Sequence, residues 1–178
     1  MNRPPRVVAS ILIGSFFLAA SCSPFNRNTP PPSIPFDTSY SAPSDWKLID
    51  DGLWGLRLNV PPTFQDKGFV KKSLWVHEGT SVRLIIDFGN TSSDSLKQQQ
   101  HYSEVRLPIN GLPALVCTYE QSNNVTAGSL KKVIALFFLE KRERLGATRE
   151  PSYRVEYASD DDRNIALQIL QTVRFYDS

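Results

Sequence analysis

Sulfur and imidazole are scarce in this 178-residue chain, which has two cysteines, two histidines and one methionine. Two cysteines permit one disulfide at most, so no disulfide framework holds the fold. His77-Glu78 opens an H-E-x-x-H zinc-protease pattern, but Ser81 stands where the second histidine belongs. His101 follows Gln98-Gln99-Gln100 and stands alone. For either histidine to act as ligand or base, partners must converge on it from distant parts of the fold. The chain also lacks a G-x-S-x-G elbow, a phosphate-cradling glycine-rich loop, a C-x-x-C pair and any internal repeat.

The N-terminus is the most distinctive segment. Arg3 and Arg6 give a short cationic start, and an uncharged, mostly apolar run extends from Val7 to Ala20. Small residues and a cysteine close it: Leu18-Ala19-Ala20-Ser21-Cys22. A basic start, a short apolar core and a small-residue cleavage site describe a secretory signal. The apolar run spans roughly 14 residues, or about 21 Å as a helix, which is short of a bilayer's hydrocarbon core of ~30 Å. The ending resembles the lipobox of bacterial lipoproteins, in which signal peptidase II cuts before a diacylglycerol-bearing cysteine. That resemblance implies that Leu18, Ala19, Ala20 and Ser21 form the recognition site and that Cys22 is the lipidated first residue of the mature protein. Ala19 stands where the usual leucine would be, and Ser23 in place of aspartate fits outer-membrane sorting in the enterobacterial pattern. A lipoprotein cysteine carries two or more acyl chains, enough for stable anchoring. The address implied is the cell envelope, on the outer membrane facing the periplasm in a Gram-negative cell.

Without Arg3 and Arg6, the remaining Lys and Arg equal the 18 Asp and Glu in number. A neutral chain has no net attraction for phosphate backbones, and nucleic acid is not expected as a partner. With Cys22 acylated, Cys117 has no cysteine to pair with; in Ala114-Leu115-Val116-Cys117-Thr118-Tyr119 it reads as a buried strand residue rather than a nucleophile. From Ser23 to Asp45, six prolines among Ser, Asn and Thr describe an extended linker. Three segments result: a signal peptide over 1–21, a lipidated cysteine and linker over 22–45, and one domain over 46–178.

Period-two alternation marks most of that domain. Leu56, Leu58 and Val60 form a strand stopped by Pro61-Pro62. Ser73 to His77, Val82 to Phe88, and Glu104 to Ile109 follow, and Asn110-Gly111 then signals a tight hairpin into Leu112 to Tyr119. The run Val133-Ile134-Ala135-Leu136-Phe137-Phe138-Leu139 is apolar on both faces, so it should lie centrally with cover above and below. Tyr153, Val155 and Tyr157 give the last strand. Ser159 should cap a terminal helix whose first turn carries Asp160, Asp161 and Asp162, with Ala166, Ile169, Leu170 and Val173 on its apolar face. A weaker helix is expected over Asp94 to Tyr102. The fold class is therefore α+β, a mainly antiparallel sheet of about six strands carrying a C-terminal amphipathic helix.

In order, these elements are a Gly-aromatic opening strand ending in Pro, an Asn-Gly-Leu-Pro-Ala hairpin, a hydrophobic strand, a Tyr-bearing strand and a helix closing on Thr172-Val173-Arg174-Phe175. That sequence of elements resembles the PsbP-like fold from about Trp54 to Phe175. The resemblance implies an α/β/α sandwich, although the stretch between Phe88 and Glu104 is short for the helix expected there. It also implies a binding or assembly role, and it supplies no activity residues.

Other polar clusters have plain structural readings. Asp160 to Asp162 would not make an EF-hand, because Ile165 and Gln171 occupy its glycine and glutamate positions. Asp50-Asp51 reads as the approach to a turn at Gly52, and Lys141, Arg142 and Arg144 as a solvated loop. Trp54 and Trp75 read as core, Trp46 less so. The leading expectation is a lipid-anchored, non-enzymatic binding, assembly or structural factor. It has a membrane contact through Cys22, an envelope protein as partner, and no cofactor or metal. The alternatives are a periplasmic enzyme with a scattered site, marked by His77 or His101 meeting carboxylates in one cleft, and a carrier with a dry pocket between sheet and helix.

Overall fold

The computed structural model describes residues 33–52, 55–71, 73–89, 93–122, 130–140, 142–144, 147–149 and 151–175. The signal, Cys22, Trp54 and Lys141 lie outside them.

Among the described residues there are twelve strands: β1 (Lys47–Asp51), β2 (Leu56–Val60), β3 (Gln65–Lys71), β4 (Leu74–Glu78), β5 (Val82–Asp87), β6 (Gln100–Ile109), β7 (Leu112–Ser122), β8 (Leu130–Phe138), β9 (Arg142–Arg144), β10 (Ala147–Arg149), β11 (Ser152–Tyr157) and β12 (Arg174–Phe175). Helix α1 (Asp160–Gln171) lies between the last two. The main sheet has seven strands rather than six, in the order β3-β4-β5-β11-β8-β7-β6. A smaller sheet runs β1-β2-β12, and β9 and β10 form a separate ribbon. Every recorded pair is antiparallel.

The main sheet is built from two meanders, β3-β4-β5 and β6-β7-β8, joined by β11 between β5 and β8. The second begins at the expected hairpin, where Ile109 faces Leu112 across Asn110 (φ 51°) and Gly111 (φ 78°), both in the left-handed region that a type I′ turn demands. Pro108 faces Pro113 in the next pair. In a two-residue hairpin that pair does not exchange backbone hydrogen bonds, so the ladder tolerates both rings.

β8 is central, as its sequence requires. Ile134, Leu136 and Phe138 join the larger core, whereas Val133, Ala135 and Phe137 join a second cluster with Leu96, Leu115, Cys117 and Tyr119 on the opposite face. Leu139, expected to continue that second row, lies past the strand end and is 42% exposed. Two layers cover the larger-core face. One is α1, through Ala166, Leu167, Ile169 and Leu170; the other is the small sheet, through Ile49, Leu56, Leu58 and Val60. The opening strand thus belongs to a covering sheet and not to the main one. No α-helix covers the second face among the described residues. The stretch expected as a helix over Asp94 to Tyr102 forms only a 3-10 helix, Ser93–Gln98, that sets Leu96 over the sheet before β6 begins. The α/β/α expectation is corrected accordingly, because too few residues link β5 to β6 for a longer helix.

Helix α1 starts at the expected cap. Ser159 accepts from the Asp162 amide, and the Asp162 carboxylate accepts from the Ser159 amide, which completes a capping box. At its other end the Thr172 hydroxyl donates to the Ile169 carbonyl at 2.7 Å and accepts from the Asn59 amide at 2.8 Å, tying helix to β2. Described residues ahead of Trp46 also pack against the domain. Ile34 is buried and Phe36 packs on the core. Arg174 donates to the Tyr40 carbonyl at 2.9 Å, and Gln171 to that of Pro35 at 3.3 Å. Two apolar side chains are enough to dock a segment whose prolines already limit its entropy loss.

Phe138 packs edge-on against Tyr153 and Phe175, while Phe137 fills the opposite cluster. Phe137→Ala and Phe138→Ala should each cost about 3–5 kcal/mol in urea unfolding. A near-neutral result for either would show that its face is not packed.

Candidate functional site

Four large hydrophobic residues are exposed among the described residues: Leu48, Phe69, Val70 and Leu139. The first three lie at one corner of the molecule. Phe69 and Val70 sit on β3, the free edge of the main sheet, and Leu48 lines a cleft of 340 Å³ between β1 and the β3-β4 pair. Lys47, Ile49, Asp50, Val60, Phe64, Asp66, Trp75 and His77 complete its walls.

Register builds this corner. On β4, Trp75 and His77 are two residues apart and share the face that looks toward the small sheet. Phe69 faces Trp75 across the strand pair, and Asp66 faces His77. Two register shifts in β3 and the positive φ of Gly68 (69°) twist this edge. Bulges of that kind discourage strand-to-strand aggregation. The Phe69 and Trp75 rings lie nearly parallel, 5.9 Å apart and inclined by 14°. Phe69 is 62% exposed, so the pair forms an aromatic step open to solvent. Trp75 also meets the His77 ring at 4.6 Å.

The polar groups are fixed by short bonds. Asp66 Oδ1 accepts from the Trp75 indole N–H and from the Gly68 amide, each at 2.7 Å. Partial burial pushes the Asp66 carboxyl up, but these two bonds outweigh it and leave the group below its ordinary value, hence ionised. The Lys47 ammonium donates to the Phe64 carbonyl at 3.2 Å. His77 is buried, and its Nε2 has no hydrogen-bond partner among the described residues. Burial lowers its proton affinity more than the facing Asp66 raises it, so the imidazole is neutral at physiological pH.

Of the residues weighed in the sequence, the structure thus brings Trp75, His77 and Asp50 to one cleft. Asp50 is committed to Arg57 at 2.9 Å. His101 is on the opposite edge strand, 75% exposed and 3.8 Å from Glu120. Trp46 packs on the core, and Asp160 to Asp162 serve α1. Cys117 is fully buried, and burial, with Glu104 opposite, pushes its thiol up to about 12. No group of three or more His, Cys, Asp or Glu among the described residues is arranged to hold a metal ion. The sequence reading missed Lys47, Asp66 and Phe69. The available signal was Asp66-Lys67-Gly68, a turn-forming triplet inside an otherwise strand-like stretch.

The chain matches no protein-family model and no curated protein. Among solved structures it is similar to cyanobacterial PsbP (CyanoP) from Synechocystis sp. PCC 6803, with a TM-score of 0.51 and 9% identity over 76% of this chain and 95% of that one. It is also similar to the Ran-binding protein Mog1p of Saccharomyces cerevisiae, at a TM-score of 0.45 and 10% identity over 74% of this chain and 96% of that one. At these identities the likeness concerns the fold alone, and the fold is PsbP-like.

Two outcomes follow from the buried groups. His77 has a folded-state proton affinity below its ordinary 6.5, so it contributes stability that is intact above that pH and is lost as pH falls through 6.5 toward the lower folded value. Urea unfolding should show a loss between pH 7.5 and 5 that is smaller in His77→Gln; equal losses would contradict the assignment. Cys117 should resist thiol reagents at neutral pH and react on denaturation, whereas rapid labelling of native protein would restore the nucleophile reading.

Proposed function

We propose that this chain is a lipid-anchored cell-envelope protein and a non-enzymatic binding or assembly factor, docking a protein partner at the corner formed by β1, β3 and β4. The observation that carries this reading is Phe69, a large aromatic ring 62% exposed on a free edge strand and stacked on Trp75. Exposed aromatic surface beside a cleft is a common mark of an interaction site, and aromatic residues supply much of the energy at such sites. The cleft walls contribute no Ser, Thr or Cys for covalent catalysis. Asp66 spends one oxygen on Trp75 and Gly68, which favours a positioning role over that of orienting a catalytic base. The cleft lies between two sheets, a geometry that fits a docked chain better than an enclosed apolar cargo.

The anchor rests on the resemblance of Leu18-Ala19-Ala20-Ser21-Cys22 to a lipobox. With Ile34 buried in the domain, roughly 11 residues separate it from Cys22, a reach of about 34 Å at ~3.1 Å per residue.

Phe69→Ser should cost under about 1.5 kcal/mol, since it removes an exposed ring and one stacking contact. In intact cells the same substitution should abolish chemical crosslinking to the partner. Adducts that persist at wild-type yield would overturn the docking corner. Cys22→Ala should abolish detergent-phase partitioning, and a wild-type mature N-terminus without acyl groups by mass spectrometry would overturn the anchor.

A further inference from the structure

We propose that the cleft beside Phe69 receives a basic side chain, lysine or arginine, presented by an extended segment of the partner protein. This rests on the docking role of the same corner and specifies its chemistry. The ionised Asp66 carboxylate uses only Oδ1 for its bonds to Trp75 and Gly68, and its other oxygen accepts no hydrogen bond among the described residues. No described cation lies within ion-pair distance of it: Arg57 is held by Asp50, and Lys47 turns its ammonium to the Phe64 carbonyl. Asp66 is thus an uncompensated negative charge fixed against the indole of Trp75.

A carboxylate held at the N–H edge of an indole, with one oxygen left open, is complementary to an alkylammonium or guanidinium, which gains a charge-assisted ion pair there. The remaining walls suit the aliphatic stem of such a side chain, because Ile49, Val60 and Phe64 are apolar. His77 is buried in the same wall, its Nε2 unpartnered among the described residues, and as a neutral ring it adds no repulsion. An extended segment fits the entrance. Among the described residues β1 is the outer strand of the small sheet and pairs on one side only, with β2, so its other side can take up backbone groups. Lys47 lies on this wall and opposes a cation, so it tunes the affinity downward.

The test uses the full chain in detergent micelles and follows the Trp75 indole N–H by NMR, identified as the resonance lost in Trp75→Phe. The probes are three capped pentapeptides identical except for a central lysine, norleucine or glutamate. The lysine peptide should shift the resonance with an affinity at least about tenfold above that of norleucine, and the glutamate peptide should bind more weakly still. Asp66→Asn keeps an oxygen for Trp75 and Gly68, so it should fold normally and lose the preference for lysine over norleucine. Lys47→Met should raise lysine-peptide affinity. Equal binding of lysine and norleucine, preference for glutamate, or an unchanged preference in Asp66→Asn would each overturn the proposal. These outcomes are separable from failure of the docking corner, since loss of cellular crosslinks in Phe69→Ser would stand whatever the peptides do.

Discussion

The structure depends on the pairing of one six-residue strand with two neighbours. β11 is hydrogen-bonded to β5 on one side and β8 on the other, and among the described strands it joins the two meanders of the main sheet. Tyr153 and Val155 are fully buried, so the strand is fixed in register by the faces it must hide as well as by its ladder. Because these contacts link residues far apart in sequence, each half must wait for a strand made near the end of the chain. Helix α1 follows after Ala158 and the Ser159 cap and folds back over β11, β5 and β8. Joining the sheet and covering it are consecutive acts of one segment.

That arrangement explains where open surface is left. The face carrying the larger core is closed by α1 and by the β1-β2-β12 sheet, which meets the helix through the Thr172 and Asn59 bonds. Toward β3 this cover runs out. There the row continuing outward from Ile86 through Trp75 to Phe69 emerges into solvent. The aromatic step is therefore the exposed end of the core's own row of side chains, held from behind by buried neighbours. The stacking on Trp75 limits the orientations open to the Phe69 ring. The bulged backbone of β3 keeps the same edge from adding strands indiscriminately.

Local chemistry made several elements legible in advance. The Asn110-Gly111 hairpin was readable because so few residue pairs tolerate two positive φ angles. β8 was readable because a run apolar on both faces has one stable place in a sheet, and α1 because Ser159 and three aspartates agree with its apolar stripe. What escaped were features set by distant partners. Leu56 to Val60 has the pattern of any half-buried strand, and nothing in it specifies a covering sheet shared with β1 and β12. β3 was missed because Gly68 and its polar neighbours resemble a loop. With it went the corner: Trp75 and His77 were weighed singly, whereas Asp66 and Phe69 reach them only through a cross-strand register interrupted by bulges. The buried Ile34 and the bond from Arg174 to Tyr40 likewise depend on a contact between segments more than 130 residues apart.

The central claim is that the β1-β3-β4 corner is the surface through which this protein acts. Amide hydrogen exchange, compared between the full chain in its native membranes and the same chain purified in detergent, addresses it directly. The account predicts added protection in the membranes over Lys47–Asp51 and Gln65–Glu78, with little change around Leu139 and along β6. Protection gained only at those other sites, or at none, would contradict it.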